Sequence, residues 1–210
     1  MKKIGVLVSG RGSNLQAIID AIKTGHITDA AIAVVVSDVG DAYALTRAIE
    51  HGIKAVHVNP KSFTTKESYE EEILTLMRKE RVDLILLAGY MRIVGKRLLD
   101  AYPNKILNIH PALLPSFPGL HAQEQAFNYG VKVTGCTVHF VNEGIDTGPI
   151  ILQRSVPVLE DDTPDSLADR ILKQEHKIYP EAVKLFIEDR LTTDGRRVKI
   201  NDRPMNISPT

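Results

Sequence analysis

Three polar side chains stand where chemistry needs them. Asn108 and His110 occur two residues apart in LNIHPALLPSFPG (residues 107–119), and Asp146 follows in VHFVNEGIDTGP (residues 138–149). An imidazole can carry a proton near neutral pH, a carboxamide donates hydrogen bonds without titrating, and a carboxylate orients the imidazole and favours its charged form. Such a trio suits a reaction in which negative charge grows on an oxygen while a proton leaves a nucleophile.

The trio must be placed by rigid elements. Leu107 and Ile109 are apolar at alternate positions after Ile106, the pattern of a buried strand, and Pro111 ends it because proline cannot donate to a sheet ladder. Asn108 and His110 therefore lie at a strand's carboxyl end, the edge at which open parallel sheets bind ligands. Pro111, Pro115 and Pro118 stiffen the exit loop. Residues 138–141 read as a further strand and 142–148 as a tight loop that brings Asp146 to the same edge.

The N-terminus repeats this logic. Residues 3–8 form a continuous apolar run, SGRGSN follows, and Leu15, Ile18, Ile19 and Ile22 recur at helical spacing with Gly25 as a stop. Gly12, Ser13 and Asn14 thus sit where backbone amides and the helix dipole favour an anion. A dinucleotide fingerprint is the rival reading, with Gly10, Gly12 and Asp38, but Leu15 occupies its third-glycine position. A plain strand-to-helix turn is the third.

Strands at 31–36, 55–58 and 82–88 alternate with helices at 42–51 and 66–79, the second capped by Thr64 or Thr65. The expected fold is α/β: an open, doubly wound, mostly parallel sheet with helices on both faces, one domain over residues 1–203 and a frayed tail at 204–210. Glu70, Glu71 and Glu72 read as a solvated face. Residues 149–158 read as a strand, and Asp162 or Thr163 before Pro164 as the start of a helix that Pro180 breaks or bends into two. RRVK reads as an edge strand. Without further information, Met91 and Ile93 would be ordinary core.

Asn-x-His-Pro at a strand end, Asp-x-Gly-Pro in a later loop and the phrase HPALLPSFPGLHA resemble the family of formyltransferases that use 10-formyltetrahydrofolate, and SGRGSN resembles the branch acting on a phosphorylated purine precursor. The resemblance covers nearly the entire chain. It implies Asn108, His110 and Asp146 as the catalytic trio. It also implies attack by the amine of phosphoribosylglycinamide on the formyl carbon through a tetrahedral intermediate, with no metal. For the acceptor it implies Gly12, Ser13 and Asn14 around the phosphate, Glu175 at the glycinamide, and Lys66 where the family often has an arginine. Lysine there keeps the charge and loses the bidentate fork. For the folate it implies Met91, Arg92, Ile93 and Val94, together with Asn142, Glu143, Gly144 and Ile145. It places His139 near the site without a proton-transfer role, and makes the Leu114-Pro115 bond cis.

Composition bounds the alternatives. Lys plus Arg and Asp plus Glu balance at 26 each, so no basic field exists to hold nucleic acid, and no apolar run approaches a membrane span. A single cysteine, Cys136, permits no internal disulfide, and the first strand begins without an export signal, so a cytoplasmic setting is expected. Small molecules are the expected partners, and a homodimer is left open. A nicotinamide-dependent oxidoreductase is undermined by Leu15. Metal-dependent hydrolysis by His110, His121, His139 and Asp146 lacks a compact ligand motif and a reason for Asn108.

Overall fold

Apolar runs such as IGVLV and LILL stay buried only if helices cover both faces of the sheet they form. The computed structural model describes residues 1–202, and the expected tail at 204–210 lies outside them. The strands are β1 (Lys2–Val8), β2 (Ala30–Ser37), β3 (Lys54–His57), β4 (Leu84–Leu87), β5 (Ile106–His110), β6 (Val133–Phe140), β7 (Ile150–Pro157), β8 (Leu191–Asp194) and β9 (Arg197–Ile200). They form one sheet in the order β3-β2-β1-β4-β5-β6-β7-β9-β8. β1 to β5 pair in parallel, and β6 runs antiparallel to both β5 and β7. The order reverses at β1, which lies between β2 and β4, so the loops leaving β1 and β4 flank a topological switch point.

The helices are α1 (Ser13–Lys23), α2 (Tyr43–Glu50), α3 (Lys66–Lys79), α4 (Lys96–Ala101), α5 (Ala122–Tyr129) and α6 (Pro164–Ile187). They divide the interior into two cores. Leu15 and Ile18 of α1 and Tyr179 and Val183 of α6 pack with Leu107, Ile109, Val138 and Phe140. On the other face Ile73 and Met77 of α3 and Leu98 of α4 pack with Leu7, Ile85 and Ile106. Thr65 and Thr163 cap α3 and α6 in capping boxes with Ser68 and Ser166, and Pro164 takes the first helical position, where its missing N–H costs nothing.

Three expectations are corrected. Pro180 does not divide α6, which runs continuously through it. Tyr179, Pro180, Ala182 and Val183 are all buried, so core packing on both sides of the proline keeps the helix continuous despite the lost hydrogen bond. RRVK is not at the edge: β9 lies between β7 and β8, and β8 closes the sheet. Glu70 is not on a solvated face but buried, whereas Glu71 remains half-exposed and Glu72 exposed.

Tyr179 ties the helix to the strands that carry the site. Its hydroxyl lies 2.9 Å from the Leu87 carbonyl and 3.1 Å from that of Leu107, and it donates to this pair of acceptors at the ends of β4 and in β5. Burial pushes its pKa well up, so the group stays a neutral donor. Tyr179→Phe keeps the ring and leaves both carbonyls without that partner. We expect a loss of about 1–3 kcal/mol, read as a fall of several degrees in a thermal melt.

Candidate active site

Strand alternation builds the site. On β5 the side chains of Leu107 and Ile109 face the α1/α6 core, whereas Ile106 faces the α3/α4 core. Asn108 and His110 continue the Ile106 face. The antiparallel register sets His139 opposite Asn108 and Thr137 opposite His110, so four polar side chains share one face of the sheet. Thr137 secures the proline loop: its hydroxyl donates to Ala112 O at 2.7 Å and accepts from Leu114 N at 3.0 Å. The Leu114-Pro115 bond is cis.

Asp146, in the loop after β6, closes over this face. Its Oδ2 accepts from the Gly119 amide at 2.7 Å and lies 3.3 Å from His110 Nδ1. Its Oδ1 lies 3.4 Å from Asn108 Nδ2 and 3.5 Å from His139 Nε2. His139 Nδ1 donates to its neighbour Phe140's carbonyl at 2.9 Å. Its Nε2 is also 3.2 Å from Asn108 Nδ2, accepting from the amide when the ring is neutral and donating to Asp146 when it is charged. Burial would raise the pKa of Asp146, but His139, the Gly119 amide and His110 together hold it below the ordinary carboxylate value.

Opposing effects act on the charge of His110. Its Nε2 donates to the Phe117 carbonyl at 2.8 Å while Nδ1 faces Asp146, so only the imidazolium supplies a proton to both acceptors. The ring is only 4% exposed, however, and burial lowers its pKa below the usual imidazole value even though Asp146 and the Phe117 carbonyl pull upward. Asp146 thus pulls this pKa up, as expected, and desolvation of the cation outweighs it.

The Gly12-Ser13-Asn14 loop follows β1, at the same sheet edge and two strands away from β5. Gly12 caps α1 with φ 69°, and a Cβ there would lie 2.6 Å from Ala44 Cβ and 2.8 Å from its Cα, so glycine is required both by conformation and by space. Asn14 Nδ2 donates to Glu175 Oε2 at 2.8 Å, and Asn14 Oδ1 is buried with no partner. Glu175 on α6 is itself buried, which raises its pKa against the pull of Asn14. Two residues far apart in the sequence, Asn14 and Glu175, thus meet. Lys66 does not contact them; its ammonium lies 3.8 Å from Glu70 Oε1. A groove of about 680 Å³ between α1 and α6 shares Ser13 with this loop but none of the trio.

On the other side, the loop after β4 exposes Met91 (59%) and Ile93 (58%), buries Val94, and sets the Arg92 guanidinium 5.3 Å over the Tyr69 ring. Asn142 Oδ1 accepts from Gly144 N at 3.2 Å and from the Thr147 hydroxyl at 2.9 Å, shaping the loop that exposes Ile145. Glu143 reaches Lys96 at 3.9 Å. Met91, Ile93 and Ile145 thus present apolar surface from the loops that follow β4 and β6, the two strands flanking β5. No group of three or more His, Cys, Asp or Glu is placed to hold a metal among the described residues.

Residues 2–183 match the family model described as formyl transferase. The chain belongs to this family. It is 48% identical over 187 residues to the phosphoribosylglycinamide formyltransferase of Bacillus subtilis, covering 89% of this chain and 95% of that protein. The Escherichia coli protein of the same name is 43% identical over 188 residues, 90% and 88% of the two chains. The crystal structure of glycinamide ribonucleotide transformylase 1 from Symbiobacterium toebii superposes with a TM-score of 0.94 at 54% identity, covering 96% of this chain and 95% of that one.

For this formyl transferase chain, sequence reasoning singled out Asn108, His110 and Asp146, and these lie in contact. His121 does not join them: it is exposed at the start of α5, 4.0 Å from Glu124. Sequence reasoning missed the Phe117 carbonyl and the Gly119 amide, and it placed His139 near the site without its contacts to Asn108 and Asp146. Backbone groups leave no composition signal, but the β5/β6 register would have revealed the contacts of His139.

Two pH consequences follow. Below about 6.5, the ordinary value for His110, the unfolded chain takes up the ring proton before the folded one, so stability declines from there down to the folded pKa. The contribution of Asp146 is present above its ordinary 3.8 and is lost as pH falls through its depressed folded value. In an NMR titration the His110 ring should therefore titrate below about 6.5, and lower still in Asp146→Asn, where the carboxylate pull is gone. An unchanged or higher value in the variant would contradict the balance described.

Proposed function

We propose that the chain transfers the formyl group of 10-formyltetrahydrofolate to the amine of phosphoribosylglycinamide, a step of purine synthesis, in the cytoplasm. The observation that carries this reading is the contact of Asp146 with Asn108 and His110 at the sheet edge from which the glycine-capped α1 also begins. A phosphate docks on the Gly12, Ser13 and Asn14 amides, where the α1 dipole favours negative charge. Glu175 and Asn14 receive the glycinamide. Residues 91–94 and 142–145 receive the folate, which supplies a formyl carbon already bonded to a nitrogen leaving group, N10.

The acceptor amine attacks that carbon, the new C–N bond forms, the bond to N10 breaks, and the amine's proton ends on N10. In the structure every donor of the trio faces an internal partner. Asn108 therefore gives up its contact with His139 or Asp146, and His110 Nε2 its bond to Phe117, as each turns a hydrogen to the formyl oxygen on which negative charge grows. Asp146 stabilises the imidazolium and accepts the amine's proton on its way to N10. His139 holds Asn108 and Asp146 in place.

Purified protein incubated with both substrates should release tetrahydrofolate and formylate the amine. Absence of turnover would sink the reading. Asp146→Asn keeps size and removes charge, so kcat should fall by about 100- to 10,000-fold while both substrates still bind. His110→Asn should be comparably severe, and the double variant little worse than either, because groups acting as a unit are not additive. Normal single-turnover rates in folded Asp146→Asn would refute its role. Gly12→Ala forces a residue with a Cβ into a left-handed conformation against Ala44. It should raise KM for the phosphorylated acceptor by about tenfold or more and leave KM for the folate nearly unchanged.

A further inference from the structure

Glu70 is a buried carboxylate that the chemistry above does not use. It lies one turn beyond Lys66 on α3, is 4% exposed, and would be better solvated almost anywhere else on that helix. Burial raises its pKa, while the Gly95 amide and Lys66 pull the other way. Its Oε1 accepts a hydrogen bond from Gly95 N at 2.6 Å. Gly95 is the N-cap residue of α4 and closes the loop that presents Met91 and Ile93.

The opposite end of that loop is held as well. Ser9 N donates to Gly89 O at 3.0 Å, and the Ser9 hydroxyl accepts from Met91 N at 2.9 Å. Between the two ends, Tyr69 of α3 lies under Arg92 and pairs its hydroxyl with that of Tyr90 at 2.8 Å. A second observation points at the same contact. Gly95 has φ −98°, a conformation open to any residue, yet a Cβ there would come within 2.4 and 2.6 Å of the two Glu70 carboxylate oxygens. Glycine at 95 is therefore matched to the carboxylate and not to a backbone requirement.

We propose that Glu70 is a positioning residue for the formyl donor: by holding the Gly95 amide it fixes residues 91–94 in the conformation that receives the folate. This rests on the assignment of those residues to the folate in the proposed function. An irregular segment has no sheet ladder to order it, so an anchor at each end removes freedom that binding would otherwise have to remove.

The test is steady-state kinetics with each substrate varied separately, on wild type, Glu70→Ala, Glu70→Gln and Gly95→Ala, each checked by thermal melt. Glu70→Ala and Gly95→Ala should raise KM for 10-formyltetrahydrofolate by about tenfold or more, the scale of one lost hydrogen bond to a charged acceptor. KM for phosphoribosylglycinamide should stay within about twofold, and kcat should change little. Glu70→Gln still offers an amide oxygen to Gly95 and should recover most of the loss. Hydrogen exchange at residues 91–95 should speed up in both alanine variants. An unchanged folate KM, or equal rises for both substrates, in folded variants would overturn the proposal. If Glu70→Ala fails to fold, Gly95→Ala decides, because its own backbone geometry is unstrained. A wild type inactive on both substrates would overturn the function and the proposal together, an outcome distinct from an active wild type whose variants show no split.

Discussion

The side-chain alternation of β5 is the constraint on which the rest depends. Ile106, Asn108 and His110 share one face, and Leu107 and Ile109 the other, so a slip of one residue in pairing would drive Asn108 and His110 under α6 and expose two apolar side chains. The register is fixed because Leu107, Ile109, Val138 and Phe140 must all reach the same core. Tyr179, reaching through that core to the Leu87 and Leu107 carbonyls, ties β4 and β5 to the long helix. The polar face is thus positioned by the apolar one behind it. Its lower part is filled by α3 and α4, and its upper part is left to the loop carrying Asp146.

Burial then sets the electrostatics. A half-buried carboxylate is costly unless paired, and Asp146 is surrounded by the Gly119 amide, two imidazoles and a carboxamide. The same desolvation that strengthens these contacts lowers the pKa of His110 and so favours its neutral form, against the pull of Asp146 and the Phe117 carbonyl. Phe117, with φ 54°, is in an uncommon conformation for a residue with a side chain, and its carbonyl is what occupies His110 Nε2.

The switch point of the sheet brings two loops of different chemistry together. The loops leaving β1 and β4 are neighbours because those strands pair in parallel, and Ser9 belongs to one loop while bonding two positions of the other. One loop offers helix-oriented amides and the other exposed apolar side chains. Their chemistries differ because α1 begins directly after the first, whereas the second runs on for several residues before Gly95 starts α4. Glu70 secures that later start from a different helix.

Much of this was legible in the residues themselves. Apolar runs, helical periodicity and capping threonines determined the α/β alternation, and they did so because each is a local preference that neighbouring sequence alone expresses. The glycine loop before α1 and the spacing of Asn108 and His110 were equally local, and the motif resemblance tied Asp146 to them. Only the tertiary structure decided the rest. Pro180 signals a break, yet burial on both sides keeps α6 whole. Three consecutive glutamates signal a solvated face, yet one points inward to an amide 25 residues away. Whether His110 is lifted by a carboxylate or depressed by burial depends on how much water the fold removes from around it. No short stretch of sequence contains that quantity, because it is a property of everything packed against the ring.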